Sequence, residues 1–163
     1  MRGSAPGDLH RTYRMTRTVA GALWLSLGIY LVLAHTIASS HAPFSGFATA
    51  EQRMVWRLVC IALAVSALVA GRVVRARILA GAPTLHVAPH RDVSPVAQQL
   101  FTATVVTLAL WETVALLGFV GFLLTGSLLD LYVFLAVAAV GLTVHFPRYS
   151  RWEAHAAGRR TIP

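Results

Sequence analysis

Apolar residues in this chain neither alternate nor keep to one helical face; they fill whole stretches, separated by short clusters of arginine, proline and glycine. A helix needs about 20 mostly apolar residues to cross the hydrocarbon of a bilayer, and four stretches approach that length. The first, Thr18 to Ala38, carries no charge. The second, Met54 to Val74, is uncharged between Arg57 and Arg72, so Arg57 has to snorkel toward the interface. The third, Leu100 to Leu124, is broken only by Glu112, and the fourth, Leu128 to Phe146, has Asp130 at its start and is closed by Pro147. The pattern predicts an all-α fold, a four-transmembrane-helix bundle over residues 18–38, 54–74, 100–124 and 128–146, with basic tails at 1–17 and 147–163 and no soluble domain. The short turn Thr125 to Ser127 makes the third and fourth helices antiparallel neighbours.

Composition supports a lipid solvent. Of 163 residues 56% are hydrophobic and 12% charged, with mean hydropathy +0.65. A chain this small has too little interior to hide so much apolar surface from water, and the same hydrophobicity excludes disorder. Cys60 is the single cysteine, which rules out an internal disulfide and reads as a small buried hydrophobe.

Charge sets the expected orientation. All 14 basic residues are arginines, and the net charge is +8. They sit in clumps between long uncharged runs rather than interleaved with aromatics, so no nucleic-acid partner is expected. Four crossings put every arginine except Arg53 and Arg57 on one side. By the positive-inside rule both termini are then cytoplasmic, in an integral membrane protein of a bacterial inner membrane. A competing reading treats the first run as a signal peptide cleaved near Ser40, His41 and Ala42, but its uncharged core exceeds the usual 7 to 15 or so residues.

Glu112 is the residue that most needs explaining. At ~1.5 Å rise per residue it falls within a few ångströms of the middle of the third span. An acid there costs roughly 2.5–3.5 kcal/mol on insertion scales, so such groups face protein and often mark a proton or ion path. The other role open to it is structural, a hydrogen bond to a neighbouring helix. Arg53 and Arg57 could reach it only from far up the bundle, and no salt bridge to either is expected.

The residues around it are Ala109, Leu110, Trp111, Glu112, Thr113, Val114, Ala115, Leu116, Leu117 and Gly118. This run resembles the ion-binding helix of the rotor-ring c subunits, or proteolipids, of ATP synthases, where an essential acid is followed by a small residue three places on and a glycine six places on. Ala115 and Gly118 stand at those places, and Leu117 stands where that family often has a tyrosine. The resemblance implies an ion-binding Glu112 with Ala109, Ala115 and Gly118 supporting close packing. It covers about a dozen residues, and the glycine repeat of the partner rotor helix is absent.

The remaining signals are weaker. Arg72, Arg75 and Arg77, with Arg91, could bind anionic lipid headgroups. Ala62, Ser66 and Ala70 at four-residue spacing suit helix packing, and Trp56 and Trp152 suit the interfaces. His35 and His145 belong to opposite ends of the bundle and cannot clasp one haem, while prolines flank His86 and His90; no metal site and no cofactor are expected. With one acid and no second catalytic group, the chain is not expected to be an enzyme by itself. The function expected is that of a small membrane subunit, in contact with lipid and with other membrane subunits or copies of itself. In it Glu112 either binds a proton or ion, or serves as an interhelical hydrogen-bonding residue in a structural, assembly or anchor subunit.

Overall fold

In the computed structural model, which describes residues 6–79, 95–150 and 153, the chain forms four helices: α1 Pro6–Ser40, α2 Ala50–Leu79, α3 Pro95–Thr125 and α4 Leu128–Val144. Three of them are long and apolar enough to cross a membrane, over His10–Ser40, Ala50–Ile78 and Ala97–Thr125. The fourth is equally apolar but has 17 residues, about 25 Å of helix against a hydrocarbon core of about 30 Å. The protein is a small polytopic integral membrane protein.

The first three helices outrun the apolar stretches that announce them. Helix α1 begins at Pro6 and α3 at Pro95, positions where a missing backbone N–H costs nothing. Helix α1 thus carries Arg11, Arg14 and Arg17 on helical turns ahead of its uncharged run, so the tail assigned to residues 1–17 is helical from Pro6 onward. Helix α4 ends two residues before the expected Phe146: His145 leaves helical geometry, and the next amide, Phe146 N–H, turns to the Thr143 carbonyl at 3.3 Å instead of continuing the helical ladder.

Helix α3 sits at the centre, packed by the other three, while α1 and α4 touch each other lightly. Cys60 lies by Gly121, Gly71 by Leu110, and Gln99 donates to the Ile78 carbonyl, so α2 and α3 run antiparallel. Helix α4 is antiparallel to α3 as well, which leaves α1 with α3 and α2 with α4 as parallel pairs. One end of the bundle therefore holds the loop between α1 and α2 and the turn between α3 and α4. The other, the terminal end, gathers the start of α1 and the residues after α4: Tyr13 donates to the Pro147 carbonyl at 3.4 Å and lies edge-on to Tyr149.

Each outer helix meets α3 along a narrow seam. On α1 the buried and half-buried positions include Thr16, Ala20, Leu23, Leu27, Tyr30, Ala34 and Ile37, alternating steps of four and three. On α2 the same steps run Cys60, Ala64, Ala67, Gly71, Val74 and Ile78, and on α4 Leu128, Leu131, Leu135, Ala138 and Leu142. A strict seven-residue repeat keeps a seam facing one neighbour, and lipid supplies no hydrophobic drive between helices, so the α2 seam in particular uses small residues, Cys60, Ala64, Ala67 and Gly71, that permit close approach. The opposite faces, with Leu25, Val32, Leu63 and Val133 more than half exposed, meet the acyl chains.

Helices α3 and α4 interlock through two glycines. Gly118 of α3 leaves room for Phe134 of α4, and Gly141 of α4 leaves room for the Trp111 ring of α3; a Cβ on either glycine would overlap the aromatic side chain. At the loop end the backbone closes on itself. Phe47 and Ala48 donate to the carbonyls of Leu123 and Leu124 at 3.0 and 2.9 Å, satisfying acceptors that the end of α3 would otherwise leave bare in the membrane. Gly46 and Gly126, with φ of +79° and +74°, lie backbone against backbone at this point. The next helices start with side-chain caps: Gln52 accepts from Thr49 N–H at 3.4 Å, and Ser127 accepts from Asp130 N–H at 3.3 Å.

Candidate functional site

Consecutive residues on a helix point about 100° apart, and α3 uses this to send Trp111 toward α4 and Glu112 toward α1. Glu112 lies about 20 Å along α3 from its end at Thr125, well inside the apolar slab. Its carboxylate is half-buried and accepts a hydrogen bond from the Tyr30 hydroxyl, with 2.5 Å between Oη and Oε1. Tyr30 is a seam residue of α1. Long side chains on a helix lean toward its N-terminus, so the phenol reaches down the parallel α3 to the carboxylate. Its ring stacks on Phe119, centroids 5.5 Å apart and planes 22° from parallel. Glu112 and Phe119 are two turns apart on one face of α3, and Ala115, between them, is fully buried.

The structure spreads the other residues of the acidic motif. Ala109 is exposed, and its carbonyl accepts from Thr113 Oγ1 at 2.9 Å. Gly118 turns to Phe134 of α4 rather than to the carboxylate. Ala109 and Ala115 both lie three residues from Glu112, and of the two only Ala115 is buried. The hydroxyl that Glu112 accepts from belongs to Tyr30 of another helix. Tyr30 was the sequence signal to follow, since a phenol midway along an uncharged span needs a partner for its O–H.

Two further polar contacts tie the bundle. Arg57 of α2 turns not to Glu112 but to Asp130 at the start of α4, with Nη2 and Nε at 2.8 and 2.9 Å from Oδ2. Arg53, one turn earlier, keeps its buried Nε without a hydrogen-bond partner among the described residues. His35 of α1 and Tyr132 of α4 meet at 2.9 Å through Nε2 and the phenol oxygen, and His35 Nδ1 lies 2.9 Å from the Leu31 carbonyl. The tautomer protonated at Nδ1 satisfies both contacts: it donates to Leu31 and accepts from Tyr132.

Toward the terminal end, α2 and α4 part over α3 and leave a cleft of about 340 Å³ whose lining includes Arg72, Arg75, Thr107, Trp111 and His145. Arg77 is exposed on α2 and does not line it. The His145 ring lies 5.7 Å from that of Trp111, and its Nδ1 is 2.9 Å from the Gly141 carbonyl. His86, His90, Arg91 and Trp152 lie outside the described residues. Among the described residues no three His, Cys, Asp or Glu side chains gather as a metal site would require. Compared with known protein families, characterised proteins and solved structures, the chain matches none.

Proposed function

We propose that this protein is a membrane-embedded structural or anchor subunit, both termini cytoplasmic, in which Glu112 is an interhelical hydrogen-bonding residue that holds α1 to α3. The Tyr30–Glu112 contact carries this reading. It fills the need of an acid placed in hydrocarbon from within the same chain, and Phe119 holds the phenol in place by stacking. Two of the α3 positions singled out by the resemblance are occupied within the chain: α1 covers Glu112 and Phe134 of α4 fills the space at Gly118. In the resemblance to a rotor proteolipid the Gly118 position serves close packing; here it serves packing within one chain. The arginines at the terminal end support the orientation.

A membrane-anchor role of this kind predicts that Glu112→Gln, which keeps a carbonyl acceptor for Tyr30, leaves the protein inserted and monodisperse on extraction. Glu112→Leu, which strands the phenol, impairs both. Equal behaviour of the two substitutions overturns the structural role.

One observation favours a second reading, proton exchange at Glu112. The carboxylate is only half-buried, and Tyr30 is its single side-chain partner among the described residues, leaving Oε2 open to a proton. A carbodiimide that attacks protonated carboxyls in apolar surroundings then labels Glu112 in native membranes. Absence of labelling across the pH range excludes this reading.

A further inference from the structure

Helix α1 is longer than a crossing requires. Its stretch from Thr18 to Ser40 holds no arginine or carboxylate and alone gives about 34 Å of helix, against about 30 Å of hydrocarbon. The turns from Pro6 to Arg17 lie ahead of that stretch, and orientation asks only for their charge, not for a helix. They are held in place all the same. Tyr13 donates to the Pro147 carbonyl at 3.4 Å, and the Tyr149 ring lies edge-on to His10 and Tyr13 at 5.6 and 5.2 Å between centroids. At about 100° per residue Arg11 and Arg14 fall on the side of α1 opposite its seam with α3, and both are exposed. Met15, one turn from Arg11, is 63% exposed beside them.

We infer, resting on the anchor reading that puts the terminal end in the cytoplasm, that Arg11, Arg14 and Met15 form a docking face for an acidic segment of a soluble partner protein. Charge complementarity selects the partner. The chain carries 14 arginines against 6 acids, and neither Arg11 nor Arg14 has an ion pair among the described residues. Position favours a protein over the membrane surface. Arg11 stands seven residues ahead of Thr18, about 10 Å along the helix, which is past the roughly 5–7 Å headgroup layer that flanks the hydrocarbon. Met15 points the same way: a phosphate headgroup has no use for an exposed thioether, whereas arginine and methionine are both enriched at protein interfaces. The Tyr149 contact orders these turns before anything binds, so a partner need not pay for ordering them.

The test is fluorescence anisotropy of a labelled octaglutamate peptide, titrated with the full chain in phosphatidylcholine nanodiscs. Empty discs should not bind the peptide, and the protein should, less tightly as salt rises. Arg11→Gln with Arg14→Gln should weaken binding about fivefold, whereas Arg72→Gln with Arg77→Gln, at exposed arginines of α2 toward the same end, should change it less than about twofold. Tyr149→Ala keeps every charge but unties the helix, and should weaken binding roughly threefold. No binding by the unaltered chain, equal losses for the two arginine pairs, or an unchanged affinity in Tyr149→Ala each overturn the ordered docking face. Displacement of the peptide by an equimolar amount of dihexanoyl phosphatidylglycerol assigns the face to headgroups and overturns the protein partner. Failure of the anchor reading shows elsewhere, in the insertion and monodispersity of the Glu112 variants, which this titration does not involve.

Discussion

The hydroxyl of Tyr30 and the carboxylate of Glu112, 2.5 Å apart, join two parallel helices at a depth where neither group has water to turn to. Burial of a polar group without a partner costs several kcal/mol in hydrocarbon, so each residue explains the presence of the other. Tyr30→Phe should therefore destabilise the bundle by roughly 1 kcal/mol, leaving an acceptor that the remaining phenyl ring cannot serve. Phe119 still stacks on that ring, so α1 should stay docked. Reversible unfolding in mixed micelles reads the change.

Gly141 faces the indole of Trp111 with no room for a methyl group. Gly141→Ala should cost about 1–3 kcal/mol through overpacking. Much of that cost should disappear in a Trp111→Leu background, where the obstructing ring is gone. Thermal denaturation of the single and double variants in one detergent separates the two cases; an additive double variant contradicts the interlock.

Gly46 and Gly126 both adopt positive φ and lie against each other where the loop after α1 caps α3. Gly46→Ala meets left-handed strain of roughly 1–2 kcal/mol and the backbone at Leu124 and Gly126. The amides of Phe47 and Ala48, bonded to α3 carbonyls, should then lose hydrogen-exchange protection. The helical amides around Leu108 should keep theirs.

Arg57 is 45% exposed and Asp130 21%, so their bridge is partly screened. An exposed pair contributes about 0–1 kcal/mol, and Asp130→Asn should cost no more than that, falling as salt rises. The larger consequence is local, since Arg57 is the side-chain tie between α2 and the start of α4. Protease or exchange sensitivity at the loop end should rise in Asp130→Asn more than global stability falls.

The sequence announces four helices because only lipid can absorb such long apolar runs, and it marks Glu112 because no other charge lies so deep. It does not show where α1 or α2 begins and ends. Arg11, Arg14 and Arg17 sit on helical turns beyond the oil, and hydropathy registers the oil, not the helix. Nor does it show which face of α1 meets α3. The four-three steps from Thr16 to Ile37 are present in the chain, but Leu25, Ile29 and Val32 on the opposite side are as apolar as the seam, since acyl chains and a protein core ask for the same residues. The partners Tyr30, Asp130 and Tyr132 stayed hidden for a related reason. Each pair spans more than seventy residues, and its register is set by packing such as Phe134 on Gly118. The arginine triplet Arg72, Arg75 and Arg77 was visible as charge, while its division into two cleft residues and one outward residue needed the helix rotation.

A double-mutant cycle on Tyr30→Phe and Glu112→Leu, with unfolding followed in lipid bicelles, reaches the central claim most directly. Interhelical hydrogen bonds in membranes couple by about 0.6 kcal/mol on average and up to roughly 1.7, and this pair should fall in that range, with the double variant losing less than the two singles combined. Strict additivity of the two substitutions would mean that the phenol and the carboxylate do not meet in the membrane, and would contradict the account.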